Sequence, residues 1–371
     1  MSQLWLLAVF AVAFLAVLWL HPKMVAIARR KGITDNPDKR KLQHAPVPVL
    51  GGVAVFFGIV VGMGCTVPFC DCNRLITIFA LLTIMLYTGT MDDIIGLTPR
   101  LRFAIETALA IAAIFIGGYI VSGLHGLWGI YSLPRWCCIL LTVVASVGII
   151  NAINLIDGVD GLASGFCIMA CTLFGIFFLQ TDNMMMAGLT AACIGGLIPF
   201  FLHNVFGHSS KMFIGDGGTL LMGMIMSLFV LEILNGDNGQ TAVGNNTCTV
   251  GLIPFTLAVL AIPVFDTLRV MTTRIIRGTS PFTPDKRHLH HAFIGLGFSH
   301  IATTATILML NLAIVAIWYA LYKFGCSIGT QFWAVTAAAT LATLGIYMWA
   351  QAVIKLRKNK SCTATHALPK A

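Results

Sequence analysis

The chain has 371 residues, 58% of them hydrophobic and only 10% charged, with a mean hydropathy of +0.89. A soluble domain carries about 25% charged residues, so this composition excludes a soluble globular protein and predicts an all-α polytopic membrane protein. The net charge of +9 would suggest nucleic acid in a soluble chain, but here the basic residues follow membrane topology and no nucleic acid is expected.

In chain order, apolar runs near the ~20 residues that cross a bilayer predict about eleven transmembrane helices. They lie at residues 4–20, 47–69, 75–91, 103–121, 136–153, 162–180, 184–202, 217–235, 249–268, 301–322 and 331–354. Of the 23 Lys and Arg, 20 fall on one side of this arrangement; only Arg74, Arg135 and Lys323 fall on the other. The positive-inside rule makes the first side cytoplasmic, with the N-terminus outside and the C-terminus inside. The first run has no basic segment before it and reads as a retained helix, not a cleaved signal. No connection is long enough for a separate domain. Residues 1–371 therefore read as one integral-membrane domain, with 355–371 a basic, flexible cytoplasmic tail. Most cysteines sit inside spans as small hydrophobes; Cys70, Cys72, Cys248 and Cys326 fall on or near the outer face, where a disulfide is open to them.

The 14 Asp and Glu gather mostly on the cytoplasmic connections. The first of these, D-N-P-D-K-R-K-L-Q-H-A-P-V-P-V-L-G-G at 35–52, is basic and proline-rich. Arg40, Lys41 and His44 there are candidates to grip a phosphate, with a solvated positive face as the plain alternative. M-D-D-I-I-G-L at 91–97 closes the third span. Asp92 and Asp93 then sit at the negative end of a helix dipole, which is unfavourable without a cation or basic partner.

Residues 151–165 read N-A-I-N-L-I-D-G-V-D-G-L-A-S-G. Asp157 and Asp160 would share a face if this segment is helical, and the glycines let backbone, ligand or metal approach closely. With Asn154 they offer oxygen donors suited to a hard cation such as Mg²⁺. The D-G pairs are equally compatible with a turn between helices. Residues 203–219, H-N-V-F-G-H-S-S-K-M-F-I-G-D-G-G-T, set Asp216 among glycines just before a span. Helix N-terminal N–H groups there suit a phosphate, with Asp216 holding a bridging cation, acting as an N-cap, or both. Asn204 and Lys211 in this stretch are expected to bind substrate. The longest cytoplasmic loop, about 269–300, contains R-I-I-R-G-T-S-P-F-T-P-D-K-R-H-L-H-H. Nothing in it completes a zinc site. Arg287, His288, His290 and His291 instead suit a diphosphate, which takes charge from Arg and directed N–H bonds from His. Together these clusters read as a cytoplasmic Mg²⁺–diphosphate site, where catalysis is mostly positioning and charge neutralisation.

These segments, in this order, resemble the polyprenyl-phosphate N-acetylhexosamine-1-phosphate transferases. The carriers, over about 35–300, are the D-x-P…R-K…H…P…G-G stretch, M-D-D, N-x-x-D-G-x-D-G, F-I-G-D-G-G and H-L-H-H. The resemblance implies that a lipid phosphate oxygen attacks the sugar-linked phosphorus of a UDP-amino-sugar, with UMP leaving. It implies Asp92 and Asp93 as the acidic pair at the nucleophile and Asn154 and Asp216 as metal-associated. Asp157 and Asp160 become the nucleotide- and diphosphate-side acids, and His288, His290 and His291 contact diphosphate or sugar. The implied cofactor is Mg²⁺, with Mn²⁺ as a substitute. The implied partners are undecaprenyl phosphate, UDP-GlcNAc and the inner-membrane bilayer, with a homodimer left open. The R-G-T-S-P-F-T-P-D-K-R-H-L-H-H loop and eleven spans are similar to the GlcNAc branch; UDP-MurNAc-pentapeptide or another UDP-HexNAc is the alternative donor. One departure is Gly217 before Gly218-Thr219, where the family more often has a small side chain followed by Gly-Ser. A transporter or flippase of lipid-linked sugars would instead need mid-membrane polar groups and an inverted repeat, and the sequence shows neither.

Overall fold

The computed structural model describes residues 2–35, 46–64, 72–235, 250–280 and 287–366. Among the described residues the regular elements are helices apart from one two-stranded ribbon, with an irregular segment at 116–134 between the fourth and fifth helices. Helix α1 (Ser2–Lys31) leads to β1 (Thr34–Asp35), which pairs antiparallel with β2 (Val47–Pro48). There follow α2 (Gly51–Gly64), α3 (Cys72–Ile95), α4 (Pro99–Phe115), α5 (Arg135–Leu155), α6 (Leu162–Gln180), α7 (Met184–Phe206) and α8 (Gly215–Leu234). The last part holds α9 (Leu252–Val259), α10 (Ala261–Ile276), the short α11 (Leu289–Gly295), α12 (His300–Lys323) and α13 (Ile328–Thr340). A π turn at Leu341–Gly345 joins α13 to α14 (Ile346–His366).

Among the described residues, eight helices are long and apolar enough to cross a membrane, or nine if the bent pair α9–α10 is one span. Eleven are expected from the sequence, and the difference has a local cause. Helix α2 is apolar but only 14 residues long, and the 17-residue α4 carries Arg100, Arg102 and Glu106. Both nevertheless pack into the bundle. Helix α8 is its axis, 94% buried across its apolar window, against 22% for α1 and for the Ile328–Arg357 run at the periphery. Apolar residues on all sides of α8 are what such a central position requires.

The bend of 78° between α9 and α10 frees backbone groups that lipid cannot satisfy. Asn311, fully buried on α12, takes them up. Its Oδ1 accepts from the Ile262 N–H at 3.0 Å, and its Nδ2 donates to the Val259 carbonyl at 2.9 Å. The chain's two glutamates both lie inside helices, and Glu232 receives Asn183 Nδ2 at 2.8 Å and Arg74 Nη1 at 3.5 Å. Glu106 receives Asn151 Nδ2 and lies 3.6 Å from Arg102 Nε. Glu232 is thus partnered near the end of α8, whereas Glu106 lies mid-way along α4, and one oxygen of each has no hydrogen-bond partner among the described residues. Cys326 is a free thiol; the disulfide reading for Cys70 and Cys248, and for the Cys72 side chain, lies outside the described residues.

Candidate active site

The site begins where α2 and α3 close on the start of α8. Gly51 and Gly52 donate their N–H groups to the Phe213 and Ile214 carbonyls at 3.0 and 2.9 Å, and the Phe213 N–H donates to the Pro48 carbonyl at 2.8 Å. Contact this close needs glycine: a Cβ on Gly52 would lie 2.3 Å from the Gly218 nitrogen, and one on Gly89 would lie 2.4 Å from the Asp216 carbonyl oxygen. The departure at Gly217 fits this chain, since a Cβ there would press to 2.8 Å from Thr90 Oγ1.

The acidic pair on α3 is split by this corner. Asp93 caps α8 from outside: Oδ1 accepts the Asp216 N–H at 2.9 Å and Oδ2 the Gly217 N–H at 3.0 Å. The negative end of α3 thus meets the positive end of α8. Asp92 turns the other way, accepting the Leu97 N–H at 2.7 Å and Arg102 Nη1 at 3.1 Å. Helix α8 starts at Gly215 with Ile214 as its N-cap residue. Asp216 is therefore inside the first turn and not the cap, and the N–H groups expected to hold a phosphate are engaged by Asp93. Asn154, at the end of α5, donates Nδ2 to Asp216 Oδ1 at 2.7 Å and to Thr219 Oγ1 at 2.8 Å. A carboxylate only accepts, so the Asn154 amide nitrogen must face it.

Helix α5 ends at Leu155 and α6 begins at Leu162, so the segment holding Asp157 and Asp160 is a turn. The two carboxylates still face one space. Gly161, at φ +77°, donates its N–H to Asn204 Oδ1 at 2.7 Å, while Asn204 Nδ2 donates to the Met212 carbonyl at 2.9 Å. Asp160 Oδ2 accepts from Lys211 Nζ at 2.7 Å and from His300 Nδ1 at 2.8 Å. Burial pushes Asp160 up most strongly, but the bonds from His300 and Lys211 outweigh it, and the carboxyl sits below its usual range. Asp157 has no hydrogen-bond partner for its carboxylate among the described residues. Its enclosure by protein, then the charges of Asp216, Asp93 and Asp160, push it up to about 7. Its side chain opens onto the cleft, so solvent moderates that effect.

The three histidines do different work. His288 Nδ1 bonds Asp266 Oδ2 at 2.9 Å, and Arg269 Nη2 bonds Asp266 Oδ1 at 2.6 Å and the Arg287 carbonyl at 2.6 Å. This buried set ties α11 to α10. His290 is buried against the turn: a Cβ on Gly158 would lie 2.3 Å from its Nε2. Burial, with His291 and His288 nearby, pushes His290 down to about 3, so it is neutral. His291 faces the open space.

That space is a cleft of about 780 Å³. Asp93, Asp157, Asp160, Asp216, Asn204, Lys211 and His291 line it, as the sequence expects of a shared site. Asp92, Asn154, His288 and His290 stand behind the wall as supports. Arg40 and His44 lie outside the described residues. Asp35, Phe213 and His300 also line the cleft; Asp35 opens the D-x-P motif and Phe213 the F-I-G-D-G-G motif, but the sequence assigns none of the three a role in the site. A usable signal existed for His300: it opens a helix, where a basic group opposes the dipole unless an acid compensates. Among the described residues no three His, Cys, Asp or Glu form a ready metal cage. Asp157, and Asp216 through Oδ2, still present carboxylate oxygens without a hydrogen-bond partner among the described residues. That donor set fits a hard cation completed by water and phosphate oxygens.

Comparison with known proteins agrees with these motifs. Residues 75–234 match glycosyl transferase family 4. The chain is 30% identical over 311 residues, 81% of each chain, to "Probable undecaprenyl-phosphate N-acetylglucosaminyl 1-phosphate transferase" of Bacillus subtilis (strain 168). It is 27% identical over 304 residues, 78% of each chain, to undecaprenyl-phosphate alpha-N-acetylglucosaminyl 1-phosphate transferase of Escherichia coli (strain K12). The protein of the same name from Yersinia pestis is 29% identical over 310 residues, 80% of this chain and 78% of the relative.

Proposed function

We infer the reaction from two facts: the chain belongs to glycosyl transferase family 4, and its acids converge on one cleft at one end of the bundle. The protein transfers GlcNAc-1-phosphate from UDP-GlcNAc to undecaprenyl phosphate. A lipid phosphate oxygen bonds to the sugar-linked phosphorus, the bond from that phosphorus to the UMP oxygen breaks, and UMP leaves. The product is undecaprenyl-diphosphate-GlcNAc. The observation that carries this reading is the cleft itself, where carboxylates sit beside Lys211, His291 and His300. Phosphoryl transfer needs little covalent chemistry from the protein and much positioning of charge.

Asp157 and Asp216 would hold Mg²⁺, which neutralises charge on the diphosphate when bound. Enclosure by protein, with the charges of Asp216, Asp93 and Asp160 added, raises Asp157 to about 7, and such an ion would relieve the part due to the crowded acids. Asn154 orients Asp216 from behind. Asp93 fixes the α8 start against α3, and Asp92 with Arg102 anchors the adjoining corner. Asp160, Lys211 and Asn204 form the nucleotide side, and His291 faces the diphosphate. The cleft faces the cytoplasm, in a chain of eleven spans in which α2, α4 and the bent α9–α10 complete the eight long helices, with the N-terminus outside.

The test uses purified full-length protein in detergent with undecaprenyl phosphate. UMP release is assayed from UDP-GlcNAc, UDP-GalNAc and UDP-MurNAc-pentapeptide, with Mg²⁺ and after chelation. Release from UDP-GlcNAc alone, lost on chelation and restored by Mg²⁺, is expected. Release only from the pentapeptide donor would move the chain to the other branch. No lipid-dependent release from any donor, in folded protein, would overturn the reaction.

A further inference from the structure

Four-fifths of the way along the chain, α12 returns to the central turn. Ser299 caps it, accepting the Ala302 N–H at 3.2 Å, and its first turn presents two side chains one helical turn apart. His300 Nδ1 lies 2.8 Å from Asp160 Oδ2, and Thr304 Oγ1 donates to the Asp160 carbonyl at 3.0 Å. His300 Nδ1 is also 3.5 Å from the Asp160 N–H. One ring nitrogen cannot donate and accept at once, and the short contact to a carboxylate wins. Nδ1 therefore carries the proton and donates. Lys211 Nζ reaches the same Oδ2 from the opposite loop at 2.7 Å. Both donors are spent on one oxygen, and Asp160 Oδ1 has no partner among the described residues.

We propose that His300 is a positioning residue for the donor substrate: with Thr304 it locks the side chain and backbone of Asp160 so that Oδ1 points at the UDP moiety. This rests on the transferase reading, in which Asp160 is on the nucleotide side. Lys211 alone would not fix the direction. Its ammonium is a point charge on a flexible stem, whereas the His300 ring sits at the rigid start of α12. The arrangement makes donor affinity depend on a helix that lies outside residues 75–234, the region matching the family.

The experiment measures both Michaelis constants of the purified full-length protein, UDP-GlcNAc varied at fixed undecaprenyl phosphate and the reverse. For His300→Ala, the KM for UDP-GlcNAc should rise about tenfold, with kcat within about threefold and the lipid KM unchanged. His300→Asn should restore the KM to within about threefold, because its amide nitrogen takes the place of Nδ1. His300→Gln, whose nitrogen reaches the Nε2 position instead, should not. The Asn/Gln contrast carries the test if the alanine variant does not fold. Thr304→Val should raise the donor KM about threefold. An unchanged donor KM in His300→Ala would overturn the proposal. So would equal rises in both Michaelis constants that Asn rescues no better than Gln, the pattern of a merely structural residue. Wild-type protein with no UMP release sinks the transferase reading first, and this proposal with it.

Discussion

Two acidic corners of the cleft are built on opposite plans. At the α3–α8 corner the protein consumes its own carboxylates. Asp93 is bound by two N–H groups of α8, Asp92 by Leu97 and Arg102, and Asp216 Oδ1 by Asn154. Glycines at 52, 89 and 218 bring three backbones into contact there. At the 156–161 turn the chain does the reverse: it clamps Asp160 on one oxygen and leaves the Asp157 carboxylate without a hydrogen bond among the described residues. One corner spends most of its charge on architecture and keeps only Asp216 Oδ2 free of such bonds among the described residues, and the other keeps charge available. A sequence shows five aspartates in motifs; only their partners separate the two uses.

The sharpest way to break this comparison is to neutralise Asp157. Asp157→Asn should lower kcat/KM about 10³-fold, the scale of removing a charge aimed at the reacting phosphates. It should do so without loss of stability. The folded-state pKa of Asp157 is raised from 3.8 to about 7, so the native state holds this proton more tightly than the unfolded chain. Its contribution to stability therefore declines as pH rises through that window. Thermal unfolding in detergent should find the variant at least as stable as wild type at pH 8, with no such advantage below pH 4. A large loss of stability at pH 8 would make Asp157 structural. Next in size, Gly89→Ala attacks the other corner through its backbone. The added Cβ meets the Asp216 carbonyl at 2.4 Å, and neither helix can yield easily. Overpacking of this kind costs about 1–3 kcal/mol, and an ångström's displacement of Asp216 costs about 10²-fold in rate. Here stability and activity should fall together, unlike in Asp157→Asn.

The comparison can be sharpened at Asn154. As a metal ligand it would act through oxygen, and Asn154→Asp would preserve that. As an orienting donor to Asp216 and Thr219 it would not survive the change, because Asp at 154 would face Asp216 with a second carboxylate. Activity is expected to fall about 30-fold, with the apparent Mg²⁺ requirement raised. Near-normal activity at ordinary Mg²⁺ would restore Asn154 as a ligand.

The apolar runs made most helices legible, because 20 residues of hydrocarbon-compatible sequence have few other solutions. The break between α9 and α10 was not. It falls within one apolar run, and the residue that makes it tolerable, Asn311, is about 50 positions away. The same limit governed the site. The motif acids could be named because two like charges at one helix end, or two acids in a glycine turn, are locally unfavourable and demand a reason. Which acid was already compensated could not be read, since Asp93 is answered by α8, more than 120 residues on. His290 looked like a phosphate donor. Its packing on Gly158 shows that the glycine makes room for a ring and not only for a ligand. Asp35 and Phe213 open two of the motifs, but nothing local assigns either a role, and only the fold brings them to the cleft.

The smallest effect tests the clamp from its exposed side. Lys211→Met removes one of the two donors to Asp160 and leaves His300 in place. Lys211 is 30% exposed, so solvent screens part of its charge, and the loss in kcat/KM at neutral pH should be about threefold. The pH dependence is more telling than the size. Asp160 is held below its usual range because its bonds to His300 and Lys211 overcome burial. Such a group contributes stability and ionised carboxylate above its unfolded pKa, and both are lost as pH falls through the folded value. Taking Lys211 away moves that folded value up, so the acid limb of the kcat/KM profile should shift to higher pH while the alkaline limb stays. A variant with a parallel, unshifted profile would mean that Lys211 serves the substrate directly and that His300 alone sets Asp160. The two partners of one oxygen would then have separate tasks, and the turn would divide its donors as it divides its acids.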